Sequence, residues 1–239
     1  MKQGIILAAG MGKRLGDISL ETPKPLLPVA GKTLIQYMID FVRGIGCERI
    51  IVVGGYQFPL LQKNVQGYAT DVVLVNNPEY QLQNLVSFMR GLEQTQDDDL
   101  FVCNADYIFR DGTRNAVAHK MNDICVYSSF DLSGNADDVM KVAVDANGDM
   151  ITMSKKLTEF NAIYTGMFFF PARQIGMIRS LTQEILNSCD KATTTVERLF
   201  SALREKGYPI KVEDVGGADW FEIDTPEEWM AAKQALEAK

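Results

Sequence analysis

The stretch that decides the fold is residues 4–34, GIILAAGMGKRLGDISLETPKPLLPVAGKTL. It opens with an apolar run, Gly4–Ala8, which predicts a buried β-strand. A glycine-rich loop follows directly, and Gly10 and Gly12 allow backbone N–H groups to approach phosphate oxygens. The same loop carries three cations: Lys13, Arg14 and Lys24. Glycines alone would fit a tight strand-to-helix turn equally well, but the added charge favours a polyphosphate site.

Two common phosphate-binding motifs do not fit this loop. A Walker A loop needs a hydroxyl residue after its glycine-lysine pair, and here Gly12-Lys13 is followed by Arg14. A dinucleotide fingerprint has the spacing GxGxxG, whereas Gly16 comes one residue too late after Gly12. The loop therefore indicates a different class of nucleotide-binding protein.

Bulk properties restrict the partners. The 239 residues, 46% hydrophobic and 23% charged, are typical of one globular domain, and we expect a single domain over residues 1–239. The formal charge of −7 argues against nucleic acid and anionic membranes as partners. Four scattered cysteines without a CxxC pair, and no apolar run long enough for a signal peptide or membrane span, favour a cytoplasmic protein.

Apolar β-rich runs alternate with segments of helical period along the first half of the chain. This pattern predicts an α/β fold: a three-layer, Rossmann-like, mostly parallel mixed sheet with helices on both faces. Strands are expected at residues 4–8, 49–53, 72–76 and 100–103. Helices are expected at residues 33–43 and 84–93, with Gly44 as the stop signal of the first.

The pattern changes in the second half. Strand-like runs at residues 125–128, 139–144 and 150–153 lie close together, and Asn147-Gly148 predicts a hairpin turn between the last two. We expect this hairpin to form a small antiparallel extension of the sheet. A further strand is expected at residues 163–170, then helices at 172–186 and 195–206, and a strand at 210–214. Thr225 and Pro226 are a natural N-cap and first residue of a last helix.

The segments LAAGxGxRL and TPKPLLPVAGKTLIQY together resemble the signature of the sugar-phosphate nucleotidyltransferase superfamily. The resemblance implies that the backbone of the first segment meets the base and ribose of a nucleoside triphosphate. It also implies that the arginine and the lysine of the PKP segment act catalytically by holding the triphosphate. On this chain the implied nucleotide-binding residues are Leu7, Ala8, Ala9, Gly10, Gly12, Arg14 and Lys24.

Two acidic residues are candidates for a metal site. Asp106 follows the strand at 100–103, and Asp224 lies in the segment WFEID. Each aspartate alone would be read as a turn or cap residue. The resemblance instead implies that both hold Mg²⁺, the ion for which two carboxylates plus phosphate oxygens are usual ligands. It places Asp106 and Glu222 beside the acceptor substrate as well.

Two segments in the middle of the chain indicate which branch of the superfamily the sequence resembles. Residues 76–92 are similar to a segment of phosphocholine cytidylyltransferases, which implies CTP as the favoured nucleotide and Asn84 and Ser87 as contacts to it. Residues 154–170 are similar to a segment of inositol-1-phosphate cytidylyltransferases. That likeness implies a catalytic, acceptor-binding Lys155, with Tyr164 and Gly166 close to the acceptor. We therefore expect a small phosphorylated alcohol as acceptor, and a homodimer is possible.

The only histidine, His119, is expected on a surface helix without a role. Transfer of a nucleotide to a phosphate does not need histidine, because the attacking oxygen is already anionic at neutral pH. Two alternatives stay open at this point. One is an enzyme of the same fold that uses UTP, dTTP or GTP on a sugar 1-phosphate, and the other is a non-catalytic, nucleotide-binding regulatory protein.

Overall fold

The computed structural model describes residues 1–133, 138–216 and 220–237. Its strands are β1 (Lys2–Ala8), β2 (Pro28–Val29), β3 (Lys32–Thr33), β4 (Arg49–Gly54), β5 (Val73–Asn76), β6 (Asp99–Asn104), β7 (Tyr107–Phe109), β8 (Cys125–Ser129), β9 (Lys141–Val144), β10 (Met150–Ser154), β11 (Ala162–Phe170), β12 (Lys211–Asp214) and β13 (Trp220–Glu222). Its α-helices are α1 (Asp17–Glu21), α2 (Leu34–Gly44), α3 (Phe58–Tyr68), α4 (Asn84–Leu92), α5 (Asp111–Ala118), α6 (Ile175–Ser188), α7 (Val196–Glu205) and α8 (Pro226–Glu237).

Within the residues that the structure describes, a nine-stranded mixed sheet forms the centre of the molecule. Its main path has the order β10-β9-β11-β6-β1-β4-β5, and β8 joins β11 and carries β12 at its other side. The four strands β6, β1, β4 and β5 are parallel, so their carboxyl ends share one edge. In open sheets of this kind ligands bind at that edge. The predicted Rossmann-like α/β architecture is confirmed.

Alternation along the strands builds a core on each face of the sheet. In β1, Ile5 and Leu7 join the apolar cluster under α4, α6 and α7, whereas Ile6 and Ala8 join the cluster under α2, α3 and α5. Successive side chains of a strand point to opposite faces, so a strand with both faces covered is apolar throughout. This explains why the strand β1 reads as a continuous apolar run.

The antiparallel extension is also as expected. β9 and β10 pair as a hairpin, and β9 continues onto β11. At the turn, Gly148 adopts φ +79° and its N–H donates to the Asp145 carbonyl at 3.1 Å. A positive φ suits glycine, which explains the Asn147-Gly148 signal.

The end of helix α2 corrects one prediction. Gly44 is the last residue of α2 rather than its stop signal, and the chain leaves the helix two residues later at Gly46, φ +88°. The N–H groups of Gly46 and Cys47 donate to the carbonyls of Arg43 and Val42 at 2.9 and 3.2 Å. Glycine at a positive φ satisfies these last carbonyls, so the signal was assigned to the wrong glycine of the pair.

A two-stranded ribbon of β7 and β13 lies outside the main sheet. The pairing sets Glu222 opposite Tyr107 and Phe221 opposite Ile108. A third, small apolar cluster packs this ribbon against the loop after β1 and against α8. The ribbon thus joins the C-terminal segment to the carboxyl edge of the parallel strands. Within the described ranges, no helix is long and apolar enough to cross a bilayer.

Candidate active site

The loop after β1 wraps around Lys24. Gly12 adopts φ +65°, and a Cβ atom there would stand 2.9 Å from the Cβ of Lys24. Leu15 is buried, and its N–H donates to the Gly12 carbonyl at 2.9 Å, which closes the turn. Position 12 therefore needs glycine for space and for backbone conformation. Gly10 is different, because a Cβ there would meet no atom of the described residues within 4 Å.

The β7–β13 ribbon brings Asp106 and Asp224 to the same place. Asp106 immediately precedes β7, and Asp224 lies just beyond β13. The N–H of Ile223 donates to the Asp106 carbonyl at 2.9 Å, which continues the ribbon toward the loop. Two acids that are far apart in the sequence are thereby held by one local backbone pairing.

Lys24 lies between these two acids. Its Nζ donates to Oδ2 of Asp106 at 2.6 Å and also to Oδ1 of Asp224. Burial lowers the pKa of Lys24, but the attraction of Asp106 and Asp224 outweighs it and raises the pKa above the ordinary value. The ammonium is therefore charged, and the two carboxylate oxygens stand within two hydrogen-bond lengths, roughly 6 Å, of each other.

These carboxylates fit a divalent cation. Oδ1 of Asp106 is buried and has no hydrogen-bond partner, so the carboxylate keeps one oxygen unused. An unpaired buried carboxylate oxygen is costly, and a cation would relieve the cost. In the described parts of the chain, no group of three or more acids, histidines or cysteines forms a metal cage. Two hard oxygen ligands, completed by substrate phosphates and water, suit Mg²⁺. The metal role of Asp106 and Asp224 stays a prediction.

Arg14 extends the cluster of charges outward. Its guanidinium donates to Asp224 and to Asp138, and Asp138 also accepts from Nζ of Lys155 at 2.8 Å. The hydrogen bond from Lys155 lowers the pKa of Asp138 below its ordinary value, and the charge of Arg14 adds to this. One carboxylate thus joins the arginine expected at the triphosphate to the lysine expected at the acceptor.

Glu222 is the third acid beside Lys24. Burial raises its pKa to about 7, and the negative charges of Asp106 and Asp224 act in the same direction. Close approach of the Tyr107 hydroxyl and the charge of Lys24 oppose the shift. Without a bound cation this carboxyl is consequently shared between its protonated and ionised forms at neutral pH.

Two cavities open beside the loop and meet at Leu7, Gly10 and Asp106. The first, about 240 Å³, contains the charged cluster and is lined by Leu7, Ala8, Gly10, Gly12, Lys13, Arg14, Lys24, Pro25, Ala105, Asp106 and Asp224. The second, about 260 Å³, is less charged and is lined by Leu7, Ala9, Gly10, Tyr80, Leu82, Gln83, Asn84, Ser87, Asn104 and Asp106. A polyphosphate suits the first cavity and a nucleoside the second.

Asn84 and Ser87 lie at the second cavity, in the first turn of α4. The side-chain oxygen of Asn84 accepts from the N–H of Val196 at 2.9 Å, so Asn84 also caps α7. Ser87 is buried, and its Oγ accepts from Nδ2 of Asn77 at 2.9 Å. Each residue has a structural partner, and their contact with nucleotide stays a prediction.

Tyr164 and Gly166 are the third and fifth of the nine residues of β11, near the end of β6. Burial raises the pKa of the Tyr164 hydroxyl well above its ordinary value, and charges at Glu197 and Asp106 add to the effect. Gly166 occupies a bulge with φ +71°, where a Cβ would lie 2.7 Å from the Tyr107 ring. Gly166 is therefore needed for packing, whatever its distance from the acceptor.

Two polar residues that hold the charged and polar side chains of the site were not predicted from the sequence. Asp138 accepts a hydrogen bond from Arg14 in the cluster of charges, and Asn77 lies behind Ser87. Asn77 stands directly after a strand, which was a usable signal. Asp138 follows no pattern that distinguishes it from its polar neighbours. His119 lies exposed at the end of α5, as expected.

Residues 4–145 match the family described as the MobA-like NTP transferase domain. The chain belongs to this family. The match covers the glycine-rich loop, Lys24 and Asp106 of the MobA-like domain, whereas Glu222 and Asp224 lie beyond it.

Two curated relatives of this MobA-like protein carry cytidylyl chemistry in their names. It is 25% identical to the CMP-5'-(3-aminopropyl)phosphonate synthase of Streptomyces rubellomurinus over 94% of this chain and 37% of that protein. It is 27% identical to the choline-phosphate cytidylyltransferase of Streptococcus pneumoniae over 98% of both chains. The chain thus spans less than two fifths of the first relative and nearly all of the second.

A protein of solved structure has a similar fold. The inositol-1-phosphate CTP transferase from T. maritima superposes with a TM-score of 0.83 over 98% of this chain and 96% of that chain, at 22% identity. At this identity the likeness shows the fold alone.

Proposed function

We propose that this protein is a Mg²⁺-dependent cytidylyltransferase of the cytoplasm. In this proposal it transfers CMP from CTP to a small phosphorylated alcohol, such as phosphocholine or inositol 1-phosphate, and releases pyrophosphate. One observation carries the proposal: the ammonium of Lys24 contacts both Asp106 and Asp224 beside the glycine-rich loop. Two acids and a buried cation that converge on an open cavity are suited to transfer between phosphates.

The reaction is an in-line substitution at the α-phosphorus of the nucleotide. An anionic phosphate oxygen of the acceptor forms the new P–O bond, and the bond to the β-phosphate breaks as its electrons leave with pyrophosphate. No side chain has to remove a proton, since the nucleophile is already ionised. Catalysis then depends on position and on electrostatic stabilisation of the charge that builds up on the phosphates.

Each charged residue has a part in this scheme. Arg14 and Lys24 line the first cavity and offset the negative charge on the leaving pyrophosphate. Lys155, on the far side of Asp138, orients the acceptor phosphate. Asp106 and Asp224 would hold Mg²⁺, which when bound neutralises and orients the α-phosphate oxygens. Arg14 and Lys155 must exchange Asp138 for phosphate oxygens when substrates bind.

The choice of CTP has separate support. Both curated relatives described above are named for cytidylyl products or substrates, and one of them covers nearly the whole chain. The second cavity, of about 260 Å³, offers Asn84 and Ser87 as polar contacts for a nucleobase. We also propose that residues 1–239 form a single domain and that the protein is a homodimer.

A nucleotide and acceptor matrix tests the proposal. CTP, UTP, dTTP and GTP are each combined with phosphocholine, inositol 1-phosphate, 2-aminoethylphosphonate and glucose 1-phosphate, and pyrophosphate release is measured with Mg²⁺ or with EDTA. We expect release only with Mg²⁺, fastest with CTP and one non-sugar acceptor. Preference for UTP, dTTP or GTP with glucose 1-phosphate would favour a sugar nucleotidyltransferase. Binding of nucleotide without release in any combination would favour a regulatory protein.

A further inference from the structure

A buried pair of polar residues stands behind the second cavity. Asn77 is fully buried just after β5, and its Nδ2 donates to Oγ of Ser87 at 2.9 Å. Ser87 belongs to α4 and lines the cavity. The pair therefore links the interior of the protein to the wall of the pocket that we assign to the nucleoside.

The hydrogen bonds of Asn77 fix the direction of its amide. Its Oδ1 accepts from the N–H of Glu79 at 3.0 Å, and a backbone N–H acts only as a donor. The amide oxygen must therefore face Glu79, which leaves the NH₂ group toward Ser87. The backbone of Asn77 is held as well, since its N–H donates to the Gly54 carbonyl at 2.8 Å.

The segment that carries Asn77 is tied to α4 a second time. Nη2 of Arg90 donates to Oε2 of Glu79 at 2.9 Å, and Arg90 lies one helical turn beyond Ser87. Both ends of the Asn77–Glu79 segment are thereby joined to the same helix. Asn77 is consequently not free to turn its amide away from Ser87.

This geometry leaves the hydroxyl proton of Ser87 available for donation to a partner other than Asn77. Because the NH₂ group of Asn77 can only donate, Oγ of Ser87 accepts, and its own proton points elsewhere. Thr182 and Ser201 donate to the carbonyl four residues earlier in their helices, as helical hydroxyls often do. Within the described ranges, Ser87 makes no such bond, and its hydrogen-bond partner is Asn77. The proton is left for an occupant of the cavity.

We propose that Asn77 is a positioning residue that holds the Ser87 hydroxyl as a donor toward ring N3 of cytosine, and so sets the preference for CTP over UTP. The inference rests on the proposed function, because it assumes that the nucleoside occupies the second cavity. Cytosine N3 is an acceptor, whereas uracil carries a hydrogen at N3 and would set donor against donor. A site that leaves such a polar group unpaired rejects the wrong ligand strongly.

Equilibrium binding of CTP and UTP tests this inference by titration calorimetry with Ca²⁺, for wild type, N77D, S87A and the double variant. Aspartate at position 77 keeps an oxygen toward Glu79 but offers a second acceptor to Ser87, whose proton then turns inward. We expect N77D and S87A each to lower the ratio of CTP to UTP affinity by about tenfold or more. In the S87A background, N77D should change the ratio no further, since its effect passes through the hydroxyl.

Two controls keep the result interpretable. The matched variant N64D replaces a partly buried asparagine outside this cavity and should leave the ratio unchanged. Wild type with 3-deaza-CTP, which lacks the N3 acceptor, should bind about as weakly as UTP, and this readout survives if N77D fails to fold. An unchanged ratio in S87A, or full affinity for 3-deaza-CTP, would overturn the inference. Failure of wild type to release pyrophosphate would count against the proposed function while the binding ratio still reported on Ser87.

Discussion

Asp106 is the residue on which turnover should depend most. It accepts one hydrogen bond from Lys24, and its second oxygen is buried and unpaired. We expect D106A to lower kcat by about a thousandfold or more, because electrostatic support at the α-phosphate is lost. The measurement is pyrophosphate release with saturating CTP and acceptor.

The control for this variant is D71A, since Asp71 forms an exposed ion pair with Arg43 far from the cavities. It should keep normal turnover. Folding of both variants is checked by urea unfolding. If D106A folds and keeps at least a tenth of the wild-type kcat, Asp106 has no essential part in catalysis.

Glu222 predicts a pH dependence of stability in the metal-free protein. Its folded pKa of about 7 lies above the ordinary value of 4.5. As pH rises through this window, the unfolded chain loses the proton while the folded chain keeps it, so folding becomes less favourable. E222Q does not titrate and escapes this loss.

We therefore expect the stability advantage of E222Q over wild type, measured by urea unfolding in EDTA, to grow by about 2 kcal/mol between pH 5 and pH 8. A gap that shrinks as pH rises would show that the folded pKa is not raised. Mg²⁺ with CTP should reduce the gap by favouring the ionised form.

Only some of the charged residues of the site could be predicted from the sequence. Arg14, Lys24, Asp106 and Asp224 are all predicted from sequence motifs, and the fold brings them into contact. Asp138 was not predicted, because it acts through two partners that are distant in the chain. No local period or spacing in the sequence marks a residue whose significance comes only from its tertiary contacts.

Among the structural elements, the glycine-rich loop depends on the left-handed backbone conformation of Gly12. We expect G12A to lose about 1 to 2 kcal/mol of stability, because alanine disfavours φ +65°. The KM for CTP should also rise, since the added Cβ pushes against Lys24 at 2.9 Å. Urea unfolding and initial rates measure the two effects.

The matched variant is G67A in helix α3. Gly67 has open space around its Cβ position and no positive φ. Alanine there should be neutral or stabilise by up to about 1 kcal/mol. Equal behaviour of G12A and G67A would contradict the role assigned to the loop.

Length alone did not decide which elements could be predicted, because helix α3, with the same 11 residues as α2, was not predicted. Helix α2 and strand β11 span enough residues to show their periods, and both were located from the sequence. The ribbon strands β7 and β13 have only three residues each, too few for a pattern, and β7 was missed. Their pairing is set by tertiary contacts, yet it is what brings Asp224 to Asp106.

At the scale of the whole molecule, the order of strands could not be read from the chain. β11 follows β8, β9 and β10 in sequence, yet lies between β6 and β8 in the sheet. Alternation of strands and helices predicts the parallel centre, but it does not say where an antiparallel strand enters. The layers were therefore predictable and the path through them was not.

Substrate binding should stabilise the whole chain in a cation-dependent way. In the free protein, Lys24 and Arg14 partly neutralise the acids of the site. We expect CTP with Mg²⁺ at a hundredfold excess over Kd to stabilise folding by about 2.7 kcal/mol, and Mg²⁺ alone to do much less. Thermal unfolding with CTP, Mg²⁺ or both measures this, and an equal shift with Mg²⁺ alone would contradict it.

The most direct test counts the ions held jointly by the two acids. Mn²⁺ binding is followed by electron paramagnetic resonance in the presence of a non-hydrolysable CTP analogue, for wild type, D106N, D224N and the control D71N. One tightly bound Mn²⁺ per chain in wild type and D71N, lost in both D106N and D224N, is the expected result. Undiminished binding in either D106N or D224N would show that these two carboxylates do not share a cation.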